Sequence, residues 1–474
     1  MRTTFHLKTL AVAIATLSVA SMTNAAGLDR SGQDVTAFFQ DGTYAEAVYT
    51  YIDADVSGYD SANTNPSQSD YVRGDKTGDI AESYDFFRYG VKADINDTFS
   101  VGILYDEPFG AAAEYTQSNF VSQGDVDASI ASITNGAAPS LAAAQAGIGA
   151  LAAGETAGVL TPAQQAQLDG LRGAVAVAQA EAGTAGENTN VEVRSQSLTG
   201  ILGMKFGANK NFQIYGGPVA QRTQSETKLR GLAYGPASGY TSNSNPDMDY
   251  GYIAGIAYSK PEIALKAALT YRSEIDHDIQ ISESYPLVAI RATAAGATPE
   301  QAAAAANRNS KYEITTPKSV NFDFQTGINP TTLATAKVRW VPWSDFVITP
   351  PLYNDTSKIS YGPDGLNLVE YKDDQWQVEL GLAKRLTPAL AVSGTVGWDS
   401  GAGNPVTSLG PVEGYYSVGL GAKYNVTENW AVSVGGKYLW FGDAQGQLPT
   451  GKIVADFEDN DGYIAGVKLS YQGK

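Results

Sequence analysis

Strand-length segments that alternate apolar with small or polar residues are joined in pairs by very short turns, while their far ends open into long polar loops. Before the turn at Asn425 to Asn429, Tyr416, Val418, Leu420, Ala422 and Tyr424 alternate with Ser417, Gly419, Gly421 and Lys423; after it, Trp430, Val432 and Val434 alternate with Ala431, Ser433 and Gly435. Trp376, Val378, Leu380 and Leu382 lead into the turn at Leu386 to Ala389 in the same way, and Leu390, Val392, Val396 and Trp398 lead out of it. A soluble sandwich also alternates, with its apolar face turned inside. These segments instead run to about 10 residues or more, the length of a tilted strand that crosses a bilayer. Aromatics gather at their ends, with Trp376 beside Trp398, Tyr416 beside Tyr424, and Trp430 beside Tyr438 and Trp440, as in an interfacial girdle.

Alternation and turns together give segments near 44–57, 82–94, 98–106, 191–206, 211–228, 248–259, 261–275, 312–327, 331–341, 369–385, 388–400, 413–424, 428–441 and 460–472. The expected fold is therefore all-β: a transmembrane antiparallel barrel of about fourteen strands, with six short turns, seven long loops and both termini on the periplasmic side. A closed barrel of that size is too wide for its own side chains to fill, so the lumen holds water, a plug or a ligand path. Residues 26–43 are left as a short plug and 44–474 as the barrel, with long extracellular insertions at about 116–190 and 276–311. Each insertion carries a helix-start signature, Thr161-Pro162-Ala163-Gln164 and Thr298-Pro299-Glu300-Gln301, in which a threonine cap and first-turn proline precede a glutamine able to reach back. The apolar face of the first helix, Leu168, Leu171, Val175 and Val177, suits a lid or an outer landing groove.

Arg2 and Lys8, the apolar run from Leu10 to Ala20 and the small residues Thr23-Asn24-Ala25-Ala26 form a secretory signal with cleavage expected after Ala25. No later stretch approaches the roughly 20 apolar residues of a membrane helix. After the signal, 30 basic residues face 50 acidic ones, a field that disfavours nucleic acid. With no cysteine there is neither a disulfide framework nor a thiolate metal site.

Several segments in order resemble the outer-membrane long-chain fatty acid transporter (FadL-like) family. They are Ala26-Gly27-Leu28, Tyr51-Ile52-Asp53-Ala54-Asp55-Val56-Ser57-Gly58, Glu107-Pro108-Phe109-Gly110-Ala111-Ala112-Ala113-Glu114-Tyr115, Trp340-Val341-Pro342-Trp343-Ser344-Asp345-Phe346, Tyr371-Lys372-Asp373, and Gly397-Trp398-Asp399-Ser400 with Pro405-Val406. The resemblance implies a plugged fourteen-stranded barrel, an outer hydrophobic groove and an inner apolar pocket. It also implies passive uptake of long-chain fatty acids or similar hydrophobic compounds, which leave sideways through a kinked third strand. The kink has its own physical basis, since Pro108 has no amide to donate and Gly110 with three alanines packs poorly; the plainer alternative is that the strand ends at Asp106. At some eighteen residues, the plug is shorter than the family's usual hatch.

A fatty acid needs an apolar sleeve and a cation for its carboxylate. Arg222 and Lys372 are similar in placement to the family's carboxylate-contacting residues. Alternation carried from Phe212 and Ile214 points Arg222 outward unless Gly216-Gly217-Pro218 bulges, and Lys372 shares the difficulty, so a rim cation is the alternative for both. Lys205, Arg272 and Lys337 are reserves; Phe38 and Phe39 are assigned to the plug and inner pocket, and Pro108, Phe109 and Gly110 to the kink and lateral exit.

Beyond the signal, the sole histidine is His277, in Glu274-Ile275-Asp276-His277-Asp278 at the outer rim, and no nucleophile motif accompanies it. The cluster could hold a divalent ion or serve as a base, against the plainer reading of a solvated acidic rim. No catalytic residue, cofactor or metal site is assigned, and an enzyme is not expected. The expectation is a monomer in the outer membrane of a Gram-negative cell, in contact with lipid and lipopolysaccharide and transporting long-chain fatty acid or another hydrophobic small molecule; the rival is a general diffusion porin for small polar solutes.

Overall fold

In a computed structural model that describes residues 27–473, the chain forms a closed antiparallel barrel. Its strands are β1 (Tyr44–Asp55), β2 (Tyr84–Asp94), β3 in two pieces (Phe99–Asp106 and Gly110–Tyr115), β4 (Thr189–Phe206), β5 (Phe212–Lys228) and β6 (Asp247–Lys260). They continue with β7 (Leu265–Arg272 and Ile275–Ser284), β8 (Asn307–Thr316 and Ser319–Asn329), β9 (Thr332–Val341), β10 (Gln375–Arg385), β11 (Leu390–Asp399), β12 (Glu413–Asn425), β13 (Trp430–Gly442) and β14 (Asp461–Gln472). Each pairs with its neighbours in sequence, and β1 closes on β14 from Tyr44↔Gln472 to Asp55↔Asp461. Closure matters because hydrocarbon offers no partner to an edge amide. The signal segment lies outside the described residues.

Alternation sorts the side chains as a lipid-facing wall requires. Leu420 is 79% exposed and Tyr416 66%, whereas Ser433, one residue from Val434 on β13, is fully buried inside. The proposed girdle residues Trp376, Trp398, Trp430, Tyr438 and Trp440 are all exposed on the outer surface.

The long loops pack together on the outer side. The capping boxes at Thr161 and Thr298 form as expected and begin helices Pro162–Ala182 and Pro299–Ala306. Helices Val126–Ile133 and Leu141–Thr156 precede the first of these, and the second lies beside Pro286–Ala294. Leu168, Leu171 and Val177 are buried, and Leu171 packs with Ile130, Ala138, Ala144 and Ala178. The face read as a lid or open groove is thus covered by its own neighbouring helices, which an alanine-rich stretch of weak amphipathicity did not announce.

Two boundaries differ from the sequence reading. The second insertion is shorter than 276–311, because β7 and β8 go on pairing from Ile275↔Thr316 to Ser284↔Asn307, beyond the apolar band, with Ile275, Ile279 and Ile281 buried inside. At the other, β10 begins at Gln375 and not near 369, since Val369–Glu370 pairs inside its loop with Val347–Ile348.

Gly217 marks a tight point of the wall, where an added Cβ would lie 2.0 Å from the Gly200 carbonyl oxygen on β4. Gly217→Val is expected to reduce the heat-modifiable, folded fraction of the purified barrel sharply on a semi-native gel, whereas Gly170→Ala, at a position with open space, leaves it unchanged.

Candidate functional site

The site begins where β3 is interrupted. Below the break, β2 and β3 pair from Tyr89↔Tyr105 to Asp94↔Ser100. Above it, Gly110–Tyr115 continues along β4 from Gly110↔Arg194 to Tyr115↔Thr189, so the strand does not end at Asp106. Between the two, Glu107-Pro108-Phe109 leaves the ladder and bends inward, so that β2 has no strand partner on that side from Tyr84 to Arg88 among the described residues, and the Glu107 carboxylate accepts from the Phe87 amide instead. Proline is the cause, as it offers no amide to the ladder.

The plug takes up the pairing that the kink loses. The Arg30 amide donates to the Pro108 carbonyl at 2.8 Å, and the Gly110 amide donates to the Leu28 carbonyl at 2.8 Å. Ser195 on β4 completes the kink, its hydroxyl accepting from the Phe109 amide at 2.7 Å. The Arg30 guanidinium lies 4.0 Å over the Tyr84 ring, filling the opening, and a Cβ on Gly110 would come within 2.3 Å of it.

Ion pairs hold the plug in the lumen. Asp29 accepts from Arg339 on β9 at 2.6 and 3.0 Å, a two-point pair whose side chains are 0% and 6% exposed. Asp34 pairs with Lys337 at 2.8 Å and Arg88 at 3.7 Å. Burial would raise the Asp34 carboxyl, yet the Lys337 and Arg88 cations hold it below the usual carboxylate range. Ser31 donates to Asp106 at 2.9 Å, and Gln33 accepts from Ser319 at 2.6 Å. A short plug is therefore fastened to β2, β3, β8 and β9.

From the outer side, the loop after β9 completes the closure. Trp343 is fully buried and donates to Gln375 at 2.8 Å, with Phe109 of the kink, Phe346 and Tyr371 around its ring at 5.7, 5.3 and 5.5 Å between centroids. Gly27 at the start of the plug sits against the indole, where a Cβ would be 2.6 Å from its ring carbons.

Two spaces flank this closed middle. On the periplasmic side a cavity of about 210 Å³ is lined by Phe38, Phe39, Lys92, Lys205, Lys266 and Lys337, among others. Phe38 is buried against Gly102 and Gly203, and Tyr215 lies 5.8 Å from it and 5.2 Å from Phe39. On the extracellular side, five loops build a groove of about 70 Å³ from apolar and tyrosine side chains, including Leu229, Tyr234, Tyr285, Tyr353 and Leu409. Arg291 borders it and takes part in no ion pair among the described residues.

The sequence-derived cations fall apart in space. Gly216-Gly217-Pro218 does not bulge, as β5 keeps one register with β4 on both sides of it, from Thr199↔Val219 to Leu202↔Gly216. Arg222 is consequently exposed on the outward face and reaches neither space. Lys372 is an exposed loop residue whose ammonium donates to Gln447 at 3.0 Å. Lys337 is lumenal but already paired to the plug, and Arg272 is buried, donating to Thr199 at 3.1 Å. His277 is not a solvated rim residue: it is 0% exposed and turned inward. Arg291, Trp343, Arg30, Asp29 and Arg339 were not singled out, although inward parity on β9 marks Lys337 and Arg339 together.

A family model for "Outer membrane protein transport protein (OMPP1/FadL/TodX)" matches residues 18–472. The chain belongs to this family. Among solved structures, a FadL homologue of Pseudomonas aeruginosa is 14% identical with a TM-score of 0.60, the match covering 98% of this chain and 97% of that one. The toluene transporter TodX of P. putida is 12% identical with a TM-score of 0.52, over 92% of each chain. At such identities the FadL/TodX likeness is one of fold. No curated protein matches the chain. Membership places the barrel among outer-membrane transport proteins, which are channels and not enzymes.

Removing one partner of a buried ion pair costs about 3–5 kcal/mol. Arg339→Met is accordingly expected to release the plug while leaving the wall intact, read as raised single-channel conductance in planar bilayers and faster protease cleavage near residue 30; Lys358→Met, on an exposed outer helix, changes neither.

Proposed function

We propose that the protein mediates passive uptake of long-chain fatty acids or similar hydrophobic compounds across the outer membrane. The observation that carries this reading is the pairing of a closed lumen with an interrupted wall. Plug, Trp343 and loop core fill the axis, while the β2–β3 ladder is interrupted at Tyr84 to Arg88, with Arg30 over the gap. A sugar gains nothing by leaving into hydrocarbon, whereas an acyl chain gains roughly 0.8 kcal/mol per CH₂ moved out of water.

The substrate enters at the outer groove, where tyrosines and leucines bury the chain and Arg291 is free to meet a carboxylate. It passes Phe109 and leaves sideways beside Pro108 and Gly110 once Arg30 swings off Tyr84. Among solved structures, one is described as a toluene transporter and another as a FadL homologue, so both aromatic hydrocarbon and fatty acid are worth offering. The protein acts as a monomer in contact with lipid and lipopolysaccharide, without cofactor, and residues 1–25 direct its export. Arg222 and Lys372 serve as outer cations near lipid headgroups, not as lumen ligands.

In cells lacking their own transporter, this protein is expected to raise uptake of a labelled long-chain fatty acid without admitting a small sugar. Arg291→Ala should reduce that uptake severalfold at low substrate, and Arg30→Ala should increase it. Sugar entry without fatty-acid entry would establish the porin instead.

A further inference from the structure

A second interruption of the wall lies between β6 and β7. Their pairing runs from Lys260↔Leu265 to Ile253↔Arg272 and then stops. It resumes in the same register only at Ser244↔Ile281, where the short strand Thr241–Ser244 meets the outer part of β7. Pro246 lacks an amide, and at Tyr252 the amide donates to the Ser273 hydroxyl at 3.0 Å in place of a carbonyl. One backbone bond carries the ladder past each of these ends, the Ser273 amide donating to the Tyr252 carbonyl at 3.0 Å and the Asn245 amide to the Gln280 carbonyl at 2.9 Å, and between them the two strands have no ladder pairing among the described residues.

Asp247 and Asp249 on β6 share the inward face with His277 on β7. One donor atom from each lies within 4.8 Å of the others. His277 Nε2 is 3.1 Å from the Gln221 carbonyl oxygen on β5, which also accepts from the Thr316 hydroxyl at 2.7 Å. Nε2 is therefore the protonated nitrogen, and a neutral imidazole then carries a lone pair at Nδ1. Nδ1 lies 3.3 Å from the Asp247 carboxylate, so a neutral ring turns its lone pair toward that oxygen, whereas a protonated ring donates to it.

We infer that Asp247, Asp249 and His277 bind a divalent transition-metal ion that fastens β6 to β7 at the outer mouth. Two ligands bonded at about 2.0–2.1 Å in tetrahedral geometry stand roughly 3.3–3.4 Å apart, the separation found between Nδ1 and Asp247. The His277 ring is locked by an outer hydrogen bond to Gln221, as metal-bound histidines are. One imidazole with two carboxylates suits zinc and its borderline neighbours better than calcium or magnesium, which prefer oxygen alone. Both carboxylates are half-buried, whereas His277 is fully buried.

Zinc is the probe. Full-length protein in detergent, stripped with chelator, is titrated with Zn²⁺ by calorimetry and melted with and without the ion, with Mg²⁺ as control. One saturable equivalent is expected, together with a higher melting temperature, and binding at least about tenfold weaker in Asp247→Asn and in His277→Gln. Heat-modifiable migration confirms that each variant is a folded barrel, and the milder Asp249→Asn gives an intermediate affinity if either of the others fails to fold. Absence of saturable binding, or binding that the folded variants retain in full, overturns the site.

Discussion

Every backbone amide in the bilayer must find a partner within the protein, because the hydrocarbon offers none. Twelve residue pairs close β1 on β14, and most of the wall answers this demand by plain pairing. Where the ladder fails at β3, the plug answers it: Arg30 and Leu28 bond to the kink, and the Arg30 side chain stacks on Tyr84. The plug and the interrupted strand are thus one device, each satisfying polar groups that the other leaves open.

That coupling explains how so short a plug stays in place. It is too small to fill the lumen by bulk, so it is tied by buried charge, Asp29 to Arg339 and Asp34 to Lys337 and Arg88. Such pairs add little net stability but are costly to break singly, which favours one defined seat over many loose ones. Trp343 then closes the same volume from the outer side, touching plug and kink together, so that a change in the outer loops has a direct contact through which to reach the interrupted strand.

Strand number, turn positions and the outward aromatic girdle were all legible in the sequence, because a period of two survives wherever one face meets lipid. Pro108 marked the kink for the same reason: a missing amide is visible without coordinates. The cations were harder. Alternation correctly turned Arg222 outward, while family likeness pulled it toward the lumen, and local parity was the better guide. Lys372 was counted into a strand that begins only at Gln375, because the inner strand edge and a loop pairing, Val369–Glu370 with Val347–Ile348, look alike in one dimension. Arg291 carried no signal, and Trp343 entered only as part of the Trp340 to Phe346 resemblance without a role, since their roles arise from loops distant in sequence that meet over the barrel mouth.

The central claim is that cargo leaves sideways between β2 and β3. A long-chain fatty acid bearing a photoreactive terminal group, cross-linked to the folded protein in outer-membrane vesicles and mapped by mass spectrometry, tests it directly. Labels in the outer groove and on Tyr84 to Arg88 and Glu107 to Gly110 are the predicted result. Labels that bypass this stretch and collect around Phe38, Phe39 and Lys266 on the periplasmic side would contradict it.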